Sequence, residues 1–423
     1  MAAEEGRAQQ LQPQARWRPT RRQLIRRRVL VFSASAIVLA LGIYLPLTLL
    51  APLSATAPRL VPFSNPDRSA ASPTLPSYGA SAVGVIGYPE ASASGGSTAP
   101  LPIASISKII TSLVVLEAKQ LSQGDSGPTI TFTPADAALR AKYVAQNGET
   151  KPLSAGSSIS QFDLMRVTLV ASANNYADAL AGWAFGSRAA FEIAVTAWLG
   201  AHGLDHTTIV EPTGINPSNV STASDLVTIG TLALANPVLS QIVSTQSMTL
   251  AGVGSLKNTN TLLGNNGVEG IKTGTLNGSS NLLFAAKYRY GSHSVTVVGA
   301  VIGAIDHKSV DAAVITLLAG VKAGFHEITL AKKGQSFANF TTAWSQTARA
   351  VSTKTASVLV WSNTPVTAVT SALPIRVGQS TALAGTVTFT VGAQSVRLPL
   401  ALDHGLVDPG PWWRLGNPAK LIG

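Results

Sequence analysis

Three features of this 423-residue chain predict a mixed α/β domain around an antiparallel sheet, carried on an N-terminal transmembrane helix and followed by a smaller β-rich domain. First, an uncharged run over residues 29–50 follows directly on a cluster of arginines. Second, strand-like segments at 80–86 and 281–302 bracket a middle stretch whose apolar residues recur at helical spacing. Third, the pattern changes after about Gly324, where short alternating runs between Gly- and Asn-bearing turns replace the helical period.

Residues 1–28 hold eight arginines (Arg7, Arg16, Arg18, Arg21, Arg22, Arg26, Arg27 and Arg28) against Glu4 and Glu5, so this basic segment alone supplies +6 of the formal net charge of +11. As a helix, the 22 residues 29–50 would reach roughly 33 Å, enough to cross a bilayer core. Positive charge before the span, and none after it until Arg59, orients the N-terminus to the cytoplasm and the rest of the chain outside a bacterial cell membrane. A cleaved signal peptide is the competing reading, with Ala55-Thr56-Ala57 as a cleavage pattern. Its apolar region is usually about 7–15 residues, shorter than this one, so an uncleaved anchor is favoured. Residues 51–76, rich in Ala, Pro and Ser, read as an extended spacer lifting the next domain off the bilayer.

The predicted catalytic domain spans 77–325. Its first strand is 80–86, followed by a Ser/Gly-rich turn at 91–98. Ile109, Ile110, Leu113, Val114 and Leu116 have helical spacing and place Ser105 at a helix start. Residues 129–133 read as a strand, and 162–169, 176–185 and 189–199 as helices with apolar stripes. Strands at 281–287 and 294–302 and a closing helix at 310–322 complete the domain. The β-rich domain, 326–423, has strands at 357–361, 366–369, 386–391 and 396–400 and no cluster of catalytic side chains.

Composition narrows the function. With no cysteine, disulfide scaffolds, thiol catalysis and Cys-based zinc sites are excluded. Beyond residue 28 the net charge is only +5, with no basic stripe interleaved with aromatics, so no nucleic-acid partner is predicted. His202, His206, His293, His307, His326 and His404 are scattered; the one tight pair, His202 and His206, has no carboxylate motif beside it, and no metal or cofactor is predicted.

Three short strings carry the chemistry: Ser105-Ile106-Ser107-Lys108, Ser172-Ala173-Asn174 and Lys272-Thr273-Gly274. Each alone is commonplace: a helix cap with a solvated lysine, a capping turn, a turn. Their order and spacing make them one site. A serine hydroxyl needs a base, and Lys108 sits one helical turn from Ser105 on the same face. To serve, it must lose its proton through burial and a nearby cation, which Lys272 can supply. Ser172 is suited to bridge the two amines and pass a proton to the leaving amine. The Asn174 amide both donates and accepts, which suits a peptide backbone. Lys272 with the Thr273 and Thr275 hydroxyls makes a cationic row for a terminal carboxylate, and Gly274 leaves the strand bare for substrate. The amides of Ser105 and Thr275 are the natural oxyanion donors.

These strings, with Glu211-Pro212-Thr213-Gly214-Ile215, the run 219–226 and the run 258–263 leading into 267–274, resemble the serine D-alanyl-D-alanine carboxypeptidases, the low-molecular-mass penicillin-binding proteins. The resemblance covers roughly residues 79–325. It implies a penicillin-binding/β-lactamase-like transpeptidase fold. It implies Ser105 as nucleophile, Lys108 as base, Ser172 and Asn174 on the second wall, and Lys272 to Thr275 on the strand. The implied substrates are peptidoglycan stem peptides ending in D-Ala-D-Ala, with covalent binding of β-lactam antibiotics. Two departures are an N-terminal anchor, with no amphipathic helix visible in 408–423, and Ala173 where Gly is frequent.

A class A β-lactamase shares the three motifs but needs a water-activating glutamate followed four residues on by Asn. Glu211 lies near that place, but Asn216 is five residues on and Gly214 interrupts. A catalytically inactive peptidoglycan-binding protein is the non-enzymatic alternative. The intact Ser105, Lys108, Ser172, Asn174 and Lys272 speak against it.

Overall fold

One sheet with both faces covered organises the catalytic region. In the computed structural model, which describes residues 20–65, 68–381 and 383–421, five antiparallel strands run in the order Val268–Leu276, Ser279–Tyr290, His293–Ala304, Ala80–Val85, Ala93–Gly96. The expected charges ahead of Thr20 lie outside the described residues.

On one face Leu283, Ala285, Val298 and Ala300 pack against a helical cluster: Ser107–Ala118, Gln161–Val170, Asn174–Phe185, Arg188–Ala201, Ala223–Ala235 and Pro237–Val243. On the other, Leu282, Phe284, Val295 and Val297 meet the closing helix His307–Ala323 through Val310, Val314 and Leu317. Because both faces are covered, the second strand is buried without interruption from Ser280 to Ala286, and its residues 282–286 read as a continuous apolar run rather than an alternation.

Helix starts follow local chemistry. Ser160, Thr222 and Asp306 each accept a backbone N–H from the residue three further on. Helix Ala223–Ala235 buries Leu226, Ile229, Gly230 and Ala233 at helical spacing and lies against both the sheet and the other helices.

The C-terminal region is a six-stranded antiparallel sheet ordered Arg59–Leu60, Ser336–Thr341, Thr347–Ser352, Gln394–Leu402, Gly385–Val391, Val366–Ala372. A separate two-stranded antiparallel sheet pairs Phe325–Ala331 with Ala356–Trp361. The first strand of the six-stranded sheet, Arg59–Leu60, comes from the stretch expected to be a spacer. That stretch is extended, but it is laid along the C-terminal sheet rather than hanging free. Thr56 bridges Ile375, Val61 N donates to Phe337 O at 2.9 Å, and the Phe63 ring meets Phe389 edge-on at 5.3 Å. Ala71 N bonds Ser362 Oγ at 2.7 Å, and Tyr78 Oη bonds Ser309 O at 2.9 Å where the chain reaches the catalytic region. Proline-rich extended chain suits a sheet edge, where a missing N–H is tolerated.

The N-terminal helix runs from Arg21 to Leu49, 29 residues, straight through Pro46. Its apolar side chains face outward; Phe32 is 74% exposed. A short helix, Pro411–Gly416, sits in the C-terminal stretch where the sequence shows no amphipathic helix, and it docks on the end of this long one.

Candidate active site

Ser105 occupies a single 3-10 turn, Ala104–Ile106, that runs directly into helix Ser107–Ala118. Three residues on, Lys108 Nζ lies 2.8 Å from Ser105 Oγ and donates to Thr213 O at 2.7 Å. Lys108 is fully buried. Burial, and then repulsion from the Lys272 ammonium, hold its amine well below the ordinary lysine value, against the opposing pull of Glu211 and Glu149. A neutral amine that donates to Thr213 O keeps a lone pair for the Ser105 proton.

Ser172 sits in the turn between helices Gln161–Val170 and Asn174–Phe185, with φ +56°, a conformation a non-glycine residue adopts only where its surroundings enforce it. The nucleophile helix packs on both helices flanking this turn. Asn174 opens the second of them; its N–H donates to Glu149 O at 2.7 Å, and its side-chain Oδ1 is buried without a protein donor.

Lys272, Thr273, Gly274 and Thr275 lie on Val268–Leu276, the edge strand of the five-stranded sheet. Lys272 is buried, and its amine is lowered to about 7 by that burial, with Glu149 pulling the other way. The Thr273 hydroxyl bonds the Thr259 hydroxyl, and Thr275 Oγ1 lies 2.7 Å from His307 Nε2.

Gly274 has a structural reason beside the one read from sequence. A Cβ there would lie 2.6 Å from Ile103 O and 3.1 Å from Ala104 Cβ. Its missing side chain lets the strand close on the turn that carries Ser105. Gly214 does the same from below: its φ is +82°, and a Cβ would sit 1.9 Å from Ala104 O.

Several residues support the site in ways the sequence did not reveal. Glu211 is buried and accepts from Gly214 N (2.5 Å), Thr213 Oγ1 (2.7 Å), Thr213 N (2.8 Å), Asn219 Nδ2 (3.2 Å) and Asn216 N (3.3 Å). Its carboxylate therefore builds the loop that presents the Thr213 carbonyl to Lys108. Asn219 ties this loop to the nucleophile helix, donating to Glu211 O at 2.8 Å and Ser107 Oγ at 3.0 Å. His307, read from the sequence as one of the scattered histidines, stands beside Thr275 at the start of the closing helix. The aspartate cap at Asp306 announces that helix start, but nothing local announces the contact with a strand 32 residues earlier.

Comparison with known proteins agrees with this arrangement. A family model described as D-alanyl-D-alanine carboxypeptidase, peptidase S11, matches residues 93–304, half of the chain. A D-alanyl-D-alanine endopeptidase of Pseudomonas aeruginosa is 33% identical over 193 residues, 43% of this chain and 58% of the relative. One from Escherichia coli K12 is 33% identical over 145 residues, 34% of this chain and 44% of the relative. The chain thus spans about half the length of the curated relatives it matches. Penicillin-binding protein 5 from Haemophilus influenzae shares the fold: TM-score 0.55 at 19% identity, over 82% of this chain and all of that one. With the motif residues gathered between one sheet edge and one helical cluster, and half of the chain matched, the protein belongs to the D-alanyl-D-alanine carboxypeptidase family of serine peptidases.

Proposed function

We propose that this protein is a serine D-alanyl-D-alanine carboxypeptidase that removes the terminal D-alanine from peptidoglycan stem peptides through an acyl-enzyme on Ser105. The observation that carries the reading is the 2.8 Å contact between Ser105 Oγ and a fully buried Lys108 whose amine is held well below its ordinary value. Lys108 takes the hydroxyl proton as Oγ attacks the carbonyl carbon of the penultimate D-alanine. The oxyanion forms between the amides of Ser105 and Thr275, an arrangement supported by the closeness of Gly274 to Ala104. The C–N bond breaks, and D-alanine leaves with a proton passed through Ser172. Water then hydrolyses the ester.

The substrate lies as an added strand along the free edge of Val268–Leu276. Asn174 Oδ1, without a protein donor, receives a substrate N–H, and Lys272 with Thr273 and Thr275 takes the terminal carboxylate. β-Lactams acylate Ser105 because their strained amide mimics the same bond. Glu211 is no deacylation base, since its oxygens are engaged by five donors. The helix Arg21–Leu49 anchors the protein in the cell membrane with the catalytic region outside. This reading keeps the catalytic domain at 77–325 and assigns residues 51–65 to the C-terminal sheet along which they lie.

The two curated relatives are named endopeptidases, which supports a second reading: cleavage of D-Ala-containing cross-links by the same nucleophile. One assay separates the two. The protein is incubated with a pentapeptide ending in D-Ala-D-Ala and, separately, with a cross-linked muropeptide dimer. Release of free D-alanine from the first, lost in Ser105→Ala, supports the carboxypeptidase. Cleavage of the dimer alone moves the assignment to endopeptidase. Neither activity, with no penicilloyl adduct by intact mass, overturns both.

A further inference from the structure

The last two turns of the long N-terminal helix are not free of the folded part. Tyr44 Oη donates to Leu415 O at 2.6 Å. Arg414, almost fully buried, donates to Ala51 O at 2.7 Å and Thr48 O at 3.5 Å, so its guanidinium caps the carbonyl end of the helix, where positive charge is favoured. Asp408 holds that guanidinium from behind at 2.5 Å, and each group shifts the other further toward its charged form. On the far side, the Trp413 ring meets Trp344 of the turn after strand Ser336–Thr341 edge-on at 5.6 Å. The short helix Pro411–Gly416 is therefore a clasp joining the anchor to the six-stranded sheet.

The clasp leaves large apolar side chains exposed, Trp412 foremost at 86%. Leu50 and Val407, at 81% and 66% exposure, lie on the two segments that Arg414 and Asp408 hold together. The depth of this surface follows from the anchor. Tyr44 lies five residues before the helix end, about 8 Å along the axis, and Arg414 reaches Thr48 O and Ala51 O, so Pro411–Gly416 lies beside the outer end of the apolar run. Tryptophan concentrates at that level of a bilayer, where an apolar ring with one N–H fits the headgroup zone.

We propose that helix Pro411–Gly416 is a membrane-surface element. Trp412 seats in the outer-leaflet interface beside the anchor and fixes the C-terminal sheet at the bilayer. This rests on the reading of Arg21–Leu49 as a transmembrane anchor. The occupant is lipid rather than a protein partner because the patch is continuous with a helix whose outward face is itself apolar.

The chain has no cysteine, so single cysteines give unambiguous labels. Full-length Trp412→Cys, Ile37→Cys and Ile193→Cys, each spin-labelled, are reconstituted in phospholipid nanodiscs, and relaxation by oxygen is compared with relaxation by a water-soluble nickel complex. All three positions are exposed, so substitution leaves the core intact. The proposal expects oxygen to dominate several-fold at 37, in mid-span, the nickel complex to dominate at 193, and 412 to fall on the oxygen side at interfacial depth. A label at 412 as open to nickel as 193, with 37 protected, overturns the proposal and leaves the anchor standing. Nickel access at both 37 and 412 overturns the anchor reading and this one together.

Discussion

The catalytic and C-terminal regions bury different things. Around the five-stranded sheet the interior holds Lys108, Lys272, Glu211, Asn174 and Asn219. Among the described residues from 326 onward, the buried polar side chains are four hydroxyls, Thr342, Ser352, Ser362 and Thr364, and one arginine, Arg414, which clasps the end of helix Arg21–Leu49. Burying a charge costs several kcal/mol unless it is paired and hydrogen-bonded. The chain accepts that cost where a depressed lysine and a fixed carbonyl are needed and avoids it where a sheet only has to pack. In this molecule, buried charge marks chemistry or attachment, and apolar burial marks support.

The sharpest way to break this contrast is to make one destabilising change in each region. Glu211→Ala leaves five donors without their acceptor; at about 1–3 kcal/mol for each buried one that water does not rescue, the loss is about 3–5 kcal/mol. Phe389→Ala empties the middle of the C-terminal core, where Phe63 and Phe337 pack on its ring, and also costs about 3–5 kcal/mol. Denaturant melts should place the two variants close together. Turnover at a temperature where both remain folded should not: Glu211→Ala loses the Thr213 carbonyl that positions Lys108 and falls by about 100-fold, while Phe389→Ala keeps wild-type kcat/KM. Equal losses in both variants would mean that the C-terminal core shapes the site and the contrast is false.

The same contrast governs what could be read from the sequence. The three motifs are local strings, so Ser105, Lys108, Ser172, Asn174 and the Lys272–Thr275 run were legible without a fold. Their supports were not. Glu211 reads as a misplaced lactamase glutamate until its five donors are seen, and Asn219 acts through a helix more than a hundred residues away in sequence. The strands and helices read from the sequence lie within a few residues of observed elements because their apolar patterns are strong. Helices Pro134–Val144, Ala223–Ala235 and Pro237–Val243 and strands such as Ser336–Thr341 and Thr347–Ser352 were not among them. Residues 51–76 showed their extended conformation but not their partner, since proline-rich chain looks alike whether solvated or laid on a sheet edge. Pro411–Gly416 stayed hidden because six residues carry no period and its reason for existing is the end of another helix.

A second, smaller test concerns Lys272 alone. As the proposed carboxylate ligand it supplies a charge-assisted hydrogen bond of about 1.5–3 kcal/mol, so Lys272→Ala should lose roughly 10- to 150-fold in kcat/KM on a D-Ala-D-Ala peptide. The C-terminal amide of the same peptide should lose less, provided the wild type acts measurably on both. Lys272 also repels the Lys108 ammonium, which adds a loss common to the two substrates. An equal fractional loss on peptide and amide would mean that Lys272 tunes the base and does not hold the carboxylate.

The smallest effect is read from stability against pH. Lys272 is lowered to about 7 in the folded protein from an ordinary value of 10.5, chiefly by burial. Below about pH 7 both states carry its proton, and the folded state bears the full penalty of a buried ammonium. Between about 7 and 10.5 the unfolded chain holds a proton that the native site has released, so stability rises with pH by up to about 1.4 kcal/mol per unit from this group. Lys108, lowered in the same direction, adds a slope of the same sign. No such term comes from the apolar C-terminal core. Urea midpoints of wild type and Lys272→Ala between pH 8 and 10 isolate the contribution of one lysine: the variant's stability should climb less steeply, by about one proton's worth. Parallel slopes would mean that Lys272 titrates in the folded protein as it does in the unfolded chain. The charge in the catalytic interior would then cost no more than charge at the surface.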